Sequence, residues 1–241
     1  MDPILLVLLF SSGAALAGSL GVLPLLRRPR PPKAWMGWGN AVAGGAMLGA
    51  AYALSRSVDE SLILAGGGVL GVLFTHWTHS VSRTETLDLN LLEEGDATYG
   101  YRIFLVSTLH SGTEGVAIGA AMAADLGFGA FMALAIAAHN VAESGVLVAV
   151  LRGQGLSLLQ GTGLAVAANL TQVLLAVTLY AVAGAAPAIL PWAAGFAMGG
   201  MVNLVLVELL PESYRQAGRT SIALIGALAL AMVLLVQGAL A

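Results

Sequence analysis

Two histidines each precede a glutamate by four residues. His110 and Glu114 form one pair, and His139 and Glu143 form the other. A helix turns about 100° per residue, so a step of four returns to nearly the same face. Each pair thus presents an imidazole and a carboxylate on one stripe. That donor set suits zinc, iron, manganese or cobalt, whereas magnesium and calcium favour all-oxygen sites. The chain has no cysteine, so nitrogen, oxygen or Met sulfur must hold any metal. In the simpler alternative each His bonds its own Glu and the pairs only hold helices together. Matched spacing on two neighbouring segments favours the metal.

The segments that carry the pairs are apolar, as is most of the chain. Of its 241 residues, 58% are hydrophobic and 10% charged, and mean hydropathy is +0.88. A soluble domain carries about 25% charged residues. The expected fold is an all-α membrane protein with eight transmembrane helices in one polytopic domain, residues 1–241. The spans fall at about 3–26, 34–54, 61–80, 101–124, 127–151, 157–184, 188–210 and 220–240. The first apolar run has no basic region before it, so it reads as a span rather than a cleaved signal peptide. An acidic connector, 81–100, separates the third and fourth spans and holds Glu85, Asp88, Glu93, Glu94 and Asp96.

Charge placement predicts orientation. Arg27, Arg28, Arg30, Lys33, Arg83, Arg102, Arg152, Arg215 and Arg219 fall on one side of an eight-span layout, and Arg56 falls on the other. The positive-inside rule then puts connector 81–100 in the cytoplasm and both termini outside. The expected location is a bacterial inner membrane.

Ionisable residues within spans are expensive and usually mark a pathway. Beyond the two pairs, Glu208 lies near the end of the seventh span with Glu212 one turn later. His76 and His79 lie near the end of the third. These four are candidate exit residues; as alternatives, Glu212 is a solvated helix-end acid paired with Arg215 or Arg219, and the two histidines are ordinary interfacial residues. Ser111 and Asn140 each follow a motif His. Asn169 and Gln172 share a face of the sixth span and could serve in ligation or in helix packing. Met47 is either core filler or a soft ligand.

LHSGTEGVAIG, AHNVAESGVLVAV, AGGAML and GGMVNLVLVELLPES together resemble the ZIP family of divalent-metal transporters, nearest its bacterial GufA-like branch. The resemblance covers essentially the whole chain. It implies a ZIP-like bundle with a pseudo-inverted repeat, in which the group containing spans four and five shifts against the rest. It also implies that His110, Glu114, His139 and Glu143 form the main site, that Met47 can join it, and that Ser111, Asn140 and Gln172 fall where a second site's ligands lie. Ser111 replaces the usual Asn, Gln172 stands where Glu is frequent, and Ser144 replaces Gly. One metal position rather than two is therefore expected.

The functional expectation is transport of divalent transition metals into the cytoplasm, zinc first, with iron, manganese and cadmium as further substrates. The chain reads as a transporter rather than an enzyme, with no prosthetic group, no nucleic-acid partner, and a homodimer as an open expectation. A membrane-embedded zinc hydrolase and a non-transporting metal receptor are the competing classes. The hydrolase lacks His-Glu-x-x-His support.

Overall fold

The computed structural model describes residues 2–28, 32–58, 61–82 and 97–240, and every regular element among them is helical. Arg30, Arg83 and the five acids of connector 81–100 lie outside the described residues. Eight rods form. The first comprises α1 (Pro3–Ala17), a 3₁₀ stretch (Gly18–Val22) and α2 (Leu23–Arg27). Single helices follow: α3 (Lys33–Arg56), α4 (Ser61–Ser82), α5 (Ala97–Ala124) and α6 (Leu126–Gly153). The sixth rod is α7 (Leu158–Ala168) plus α8 (Leu170–Ala185). The seventh is a 3₁₀ turn (Pro187–Ile189), α9 (Leu190–Leu204), a π-helical stretch (Val205–Leu209) and α10 (Leu210–Gln216). The last is α11 (Arg219–Leu240).

Six of the eight rods are long and apolar enough to cross a membrane. The other two, α3 and α5, are long enough but more polar. α5 carries Ser107, Thr108, His110, Ser111, Thr113 and Glu114 within two turns, and α3 is rich in Gly with Asn40 among them. Both are enclosed by other helices: α5 packs on α4, α6, α8 and α9, and α3 packs on α6, α9, α10 and α11. A helix shielded by protein need not match the apolarity of one that faces lipid.

Local chemistry explains the boundaries. Asp125 adopts an extended conformation and its carboxylate accepts from the Phe128 amide at 2.8 Å, so α5 ends and α6 begins around one capping residue. Ser157 and Gln160 form a reciprocal capping box that starts α7. The sixth rod is broken at Asn169 rather than continuous across 157–184, because the Asn169 amide is drawn into the bundle. Pro211 has no amide hydrogen and its ring crowds the carbonyl of Val207; the π-helical stretch just before it accommodates both defects.

The rods pack in one continuous bundle: α4 lies on α9, α5 on α8 and α3 on α11, and α3–α6, α5–α6 and α5–α9 contacts join these pairs. α4 and α9 approach to backbone contact. A side chain at Gly71 would strike the Phe196 carbonyl, and one at Gly195 would strike the Leu64 carbonyl. Small residues let membrane helices approach to backbone contact, where dispersion replaces the missing hydrophobic drive.

Gly195→Val should therefore destabilise the bundle by about 1–3 kcal/mol. Thermal unfolding in detergent should show a clear fall in midpoint, whereas Gly163→Ala, where an added Cβ meets open space, should leave it unchanged.

Candidate metal centre

The α5–α6 hairpin sets the depth of the paired residues. Glu114 precedes Asp125 by 11 residues and His139 follows it by 14, so they stand at similar height. His110 and Glu143 each lie one turn farther from the hairpin's capping residue. With both helices presenting the motif face inward, His110, Glu114 and His139 are buried and Glu143 is partly buried. Glu114 and His139 are each 1% exposed.

The donors fall into two groups. In the first, His139 Nε2 lies 3.1 Å from Glu114 Oε1 and 3.5 Å from Glu143 Oε2. Ligand atoms from all three residues lie within 4.8 Å of one another. Neither oxygen of Glu114 and neither ring nitrogen of His139 has an aligned hydrogen bond, although all four are buried. Buried polar atoms are ordinarily satisfied. His139 pairs with both carboxylates at this range, and a cation could take the place of its ring proton between them. Ser107 holds the outer side of the group, donating to Glu143 Oε1 at 3.0 Å.

The second group is His79, His110 and Glu208, again within 4.8 Å of one another. Glu208 Oε2 lies 3.3 Å from His79 Nε2 and 4.0 Å from His110 Nδ1. The Thr78 hydroxyl donates to the Thr75 carbonyl at 2.7 Å and meets His110 Nε2 at 3.1 Å. The other ring nitrogen of His110, Nδ1, faces Glu208. The π-helical stretch re-aims Glu208 into the interior, where it is 6% exposed. A cavity of about 30 Å³ joins the groups; its polar lining is Asn40, Ser107, His110, His139, Glu143 and Glu208.

The geometry thus divides the four motif residues. Glu114, His139 and Glu143 converge, while His110 joins His79 and Glu208 across α4 and the π-helical stretch. Glu212 is not a solvated helix-end acid: it is 2% exposed, tied to Arg215 and Gln216, with Arg215 Nε at 2.8 Å. His76 is on the outward, exposed face of α4 and is not brought to either group. Met47 is buried in the apolar core and does not line the cavity.

Ser111, Asn140, Asn169 and Gln172 form a separate polar seam. Ser111 donates to Asn169 at 2.9 Å, and Asn140 donates to Gln172 at 2.8 Å and to the Ala14 carbonyl at 3.0 Å. Gln172 donates to the Ser11 carbonyl at 3.1 Å. These amides bind α1, α5, α6 and α8 into one group. At Gly115 the α5–α8 approach is so close that any side chain would meet the Gln172 backbone.

Three residues that sequence inspection passed over belong with the site. Ser107 shares a helix face with His110 and Glu114, at spacings of three and seven. Asn40 stands seven residues before Met47 on α3. Only Thr78, adjacent to His79, gave no spacing signal, because its role depends on α4 meeting α5.

The chain is similar to named proteins along most of its length. It is 31% identical over 224 residues to a provisionally named zinc transporter of Arabidopsis thaliana, covering 90% of this chain and 36% of that protein. It is 28% identical over 162 residues to zinc transporter GufA of Myxococcus xanthus, covering 65% of this chain and 63% of that one. It thus spans about a third of the first relative and somewhat under two thirds of the second. No family model matches it.

Gln172→Leu leaves the Asn140 amide without its side-chain acceptor and the Ser11 carbonyl without its donor, a loss of about 1–3 kcal/mol. The expected readout is a lowered unfolding midpoint, with susceptibility to proteolysis rising first at α1.

Proposed function

The chain is homologous to zinc transporters, in keeping with its resemblance to the ZIP family and its GufA-like branch, and from that premise we propose that it carries divalent transition metals, zinc first, across a membrane into the cytoplasm. Iron, manganese and cadmium are further substrates compatible with the donors. All eight rods span the bilayer in this reading, α3 and α5 included, with both termini outside a bacterial inner membrane. The α5 and α6 motifs are the visible remnant of an inverted repeat.

One observation carries the proposal: Glu114, His139 and Glu143 bring ligand atoms within 4.8 Å of one another, with Glu114 and His139 fully buried and Glu143 open to the cavity. These three are the primary ligands of a single metal position. The metal is cargo, so ligation must be strong enough to select and weak enough to release. Two carboxylates and one imidazole, with no thiolate, suit that compromise. His110, Glu208 and His79 form a second station reached through the shared cavity. Glu143 hands the ion on, because it belongs to the first group and lines the cavity beside His110. Glu212 lies one turn beyond Glu208, and its release from Arg215 would extend the route to the bundle's end.

The amide seam fits the transport reading as a brace. It keeps Ser111, Asn140 and Gln172 occupied in packing, so the second position that the family pattern allows is not built here. Because the relatives are named as transporters, they support flux over the hydrolase and receptor readings.

Zinc uptake into proteoliposomes tests this directly. Glu114→Ala and Glu143→Ala should each reduce the initial rate at least about tenfold, since even partners behind a ligand are worth 10–100-fold in metal affinity. His76→Ala should transport normally. Wild-type-like uptake by either glutamate variant would remove the proposed site. Glu208→Gln should slow flux while equilibrium zinc binding at Glu114, His139 and Glu143 persists; equal loss of binding and flux would merge the two stations into one.

A further inference from the structure

We propose that a groove between α2, α3 and α6 binds one anionic glycerophospholipid, with its acyl chain in the groove and its phosphate on Arg27 and Arg28. The groove has a volume of about 590 Å³ and an almost wholly apolar wall, formed by Leu20 and Leu23 on the first rod, Trp35, Trp38 and Gly39 on α3, and Gly145 on α6. That volume lies within the roughly 300–1,000 Å³ of pockets that enclose small ligands.

The groove exists because of how three elements meet. The 3₁₀ stretch and α3 both pack on α6 but make little direct contact with each other. Gly21 and Gly145 bring the first rod so close to α6 that a side chain at Gly21 would meet the Val141 carbonyl. The floor is therefore tight while the side remains open. Leu20, Leu23, Trp35 and Trp38 are exposed along it, in a chain whose outer surface faces lipid tails.

What sets this groove apart from an ordinary lipid-facing crevice is the charge at one end. Arg27 closes α2, Arg28 follows it, and Arg152 comes from the end of α6. Arg152 donates to the Leu25 carbonyl at 3.2 Å, which fixes α6 to α2 at the rim. The Arg28 guanidinium lies over the Trp35 ring at 5.2 Å, a cation–π contact that holds it above the groove mouth. Trp38 is anchored on the other wall by its indole N–H, which donates to Ser221 at 3.3 Å. No carboxylate lines the groove among the described residues. Two exposed indoles and a guanidinium held over one of them, with Arg27 next to it in sequence, match a phosphate-bearing lipid and give a zwitterionic lipid less to gain.

The location gives the lipid a structural consequence. Its walls come from the first rod and α6 on one side and α3 on the other. A bound chain would fill a gap at the seam between them. This inference depends on the chain lying in a bilayer and is independent of which ion it carries.

Native mass spectrometry of the full chain in mild detergent tests it, with phosphatidylglycerol and phosphatidylcholine of identical acyl chains supplied in equal amounts. The expected result is retention of one phosphatidylglycerol in preference to phosphatidylcholine. Arg27→Gln combined with Arg28→Gln should reduce that preference on the order of tenfold. Gly39→Leu, at a position where an added Cβ meets nothing within 4 Å, should displace both lipids. As a measurement independent of either variant's folding, brominated phosphatidylglycerol should quench tryptophan fluorescence in Trp77→Phe/Trp192→Phe protein, which keeps only Trp35 and Trp38. Retention of neither lipid, equal retention of both, or quenching no stronger than with brominated phosphatidylcholine would overturn the proposal.

Discussion

A carboxylate buried among membrane-length helices must be compensated where it stands. Each ionised side chain near the centre of a span costs about 2.5–3.5 kcal/mol, and this bundle holds Glu114, Glu143 and Glu208 in its interior. Its answer is histidine beside each carboxylate: His139 lies between Glu114 and Glu143, and His79 and His110 stand near Glu208. The arrangement requires α4, α5, α6 and the π-helical stretch to meet at one depth. Much of the rest of the fold can be understood as the means of bringing them there.

Close approach is the first of those means. α4 and α9 touch backbone to backbone at Gly71 and Gly195, which sets Thr75, Thr78 and His79 against the inward face of α5. Asn203 on α9 donates to the Thr75 hydroxyl at 2.7 Å and locks the same interface by a polar contact. On the opposite side, the seam of Ser111, Asn140, Asn169 and Gln172 ties α5 and α6 to α1 and α8. The two sides use different forces for one purpose. Glycine contacts hold α4 and α9 together through dispersion, and side-chain amide hydrogen bonds hold the other side.

Helix defects are the second means. The break at Asn169 and the π-helical stretch before Pro211 both occur where a polar side chain has to be turned inward. A straight α8 would carry the Asn169 amide along the rod, away from Ser111. A regular α9 continuing through Glu208 would shift that carboxylate around the helix. In each case a local loss of regular hydrogen bonding is exchanged for a polar contact in the interior.

From sequence alone, the helical class, the approximate course of the rods and the placing of each His-Glu pair on one helical stripe were legible. Hydrophobic run length and turn chemistry are local properties, and a step of four along a helix has only one geometric meaning. The grouping of donors was not legible. His110 and Glu114 share a stripe, yet a stripe one turn long spans about 6 Å, enough for its two ends to face different neighbours. His110 meets His79 and Glu208, residues 31 positions before it and 98 after it, and only the packing of α4 and α9 against α5 decides that. The same holds for Glu212, which reads either as an exit residue or as a solvated acid paired with Arg215 until the packing of α10 on α3 buries it, and for the amides, which read equally as ligands or as packing until α1 supplies the carbonyls they bind. Sequence determined which side chains could hold a metal; tertiary structure decided which of them stand together, because convergence is a property of distances between helices and no spacing along one helix contains it.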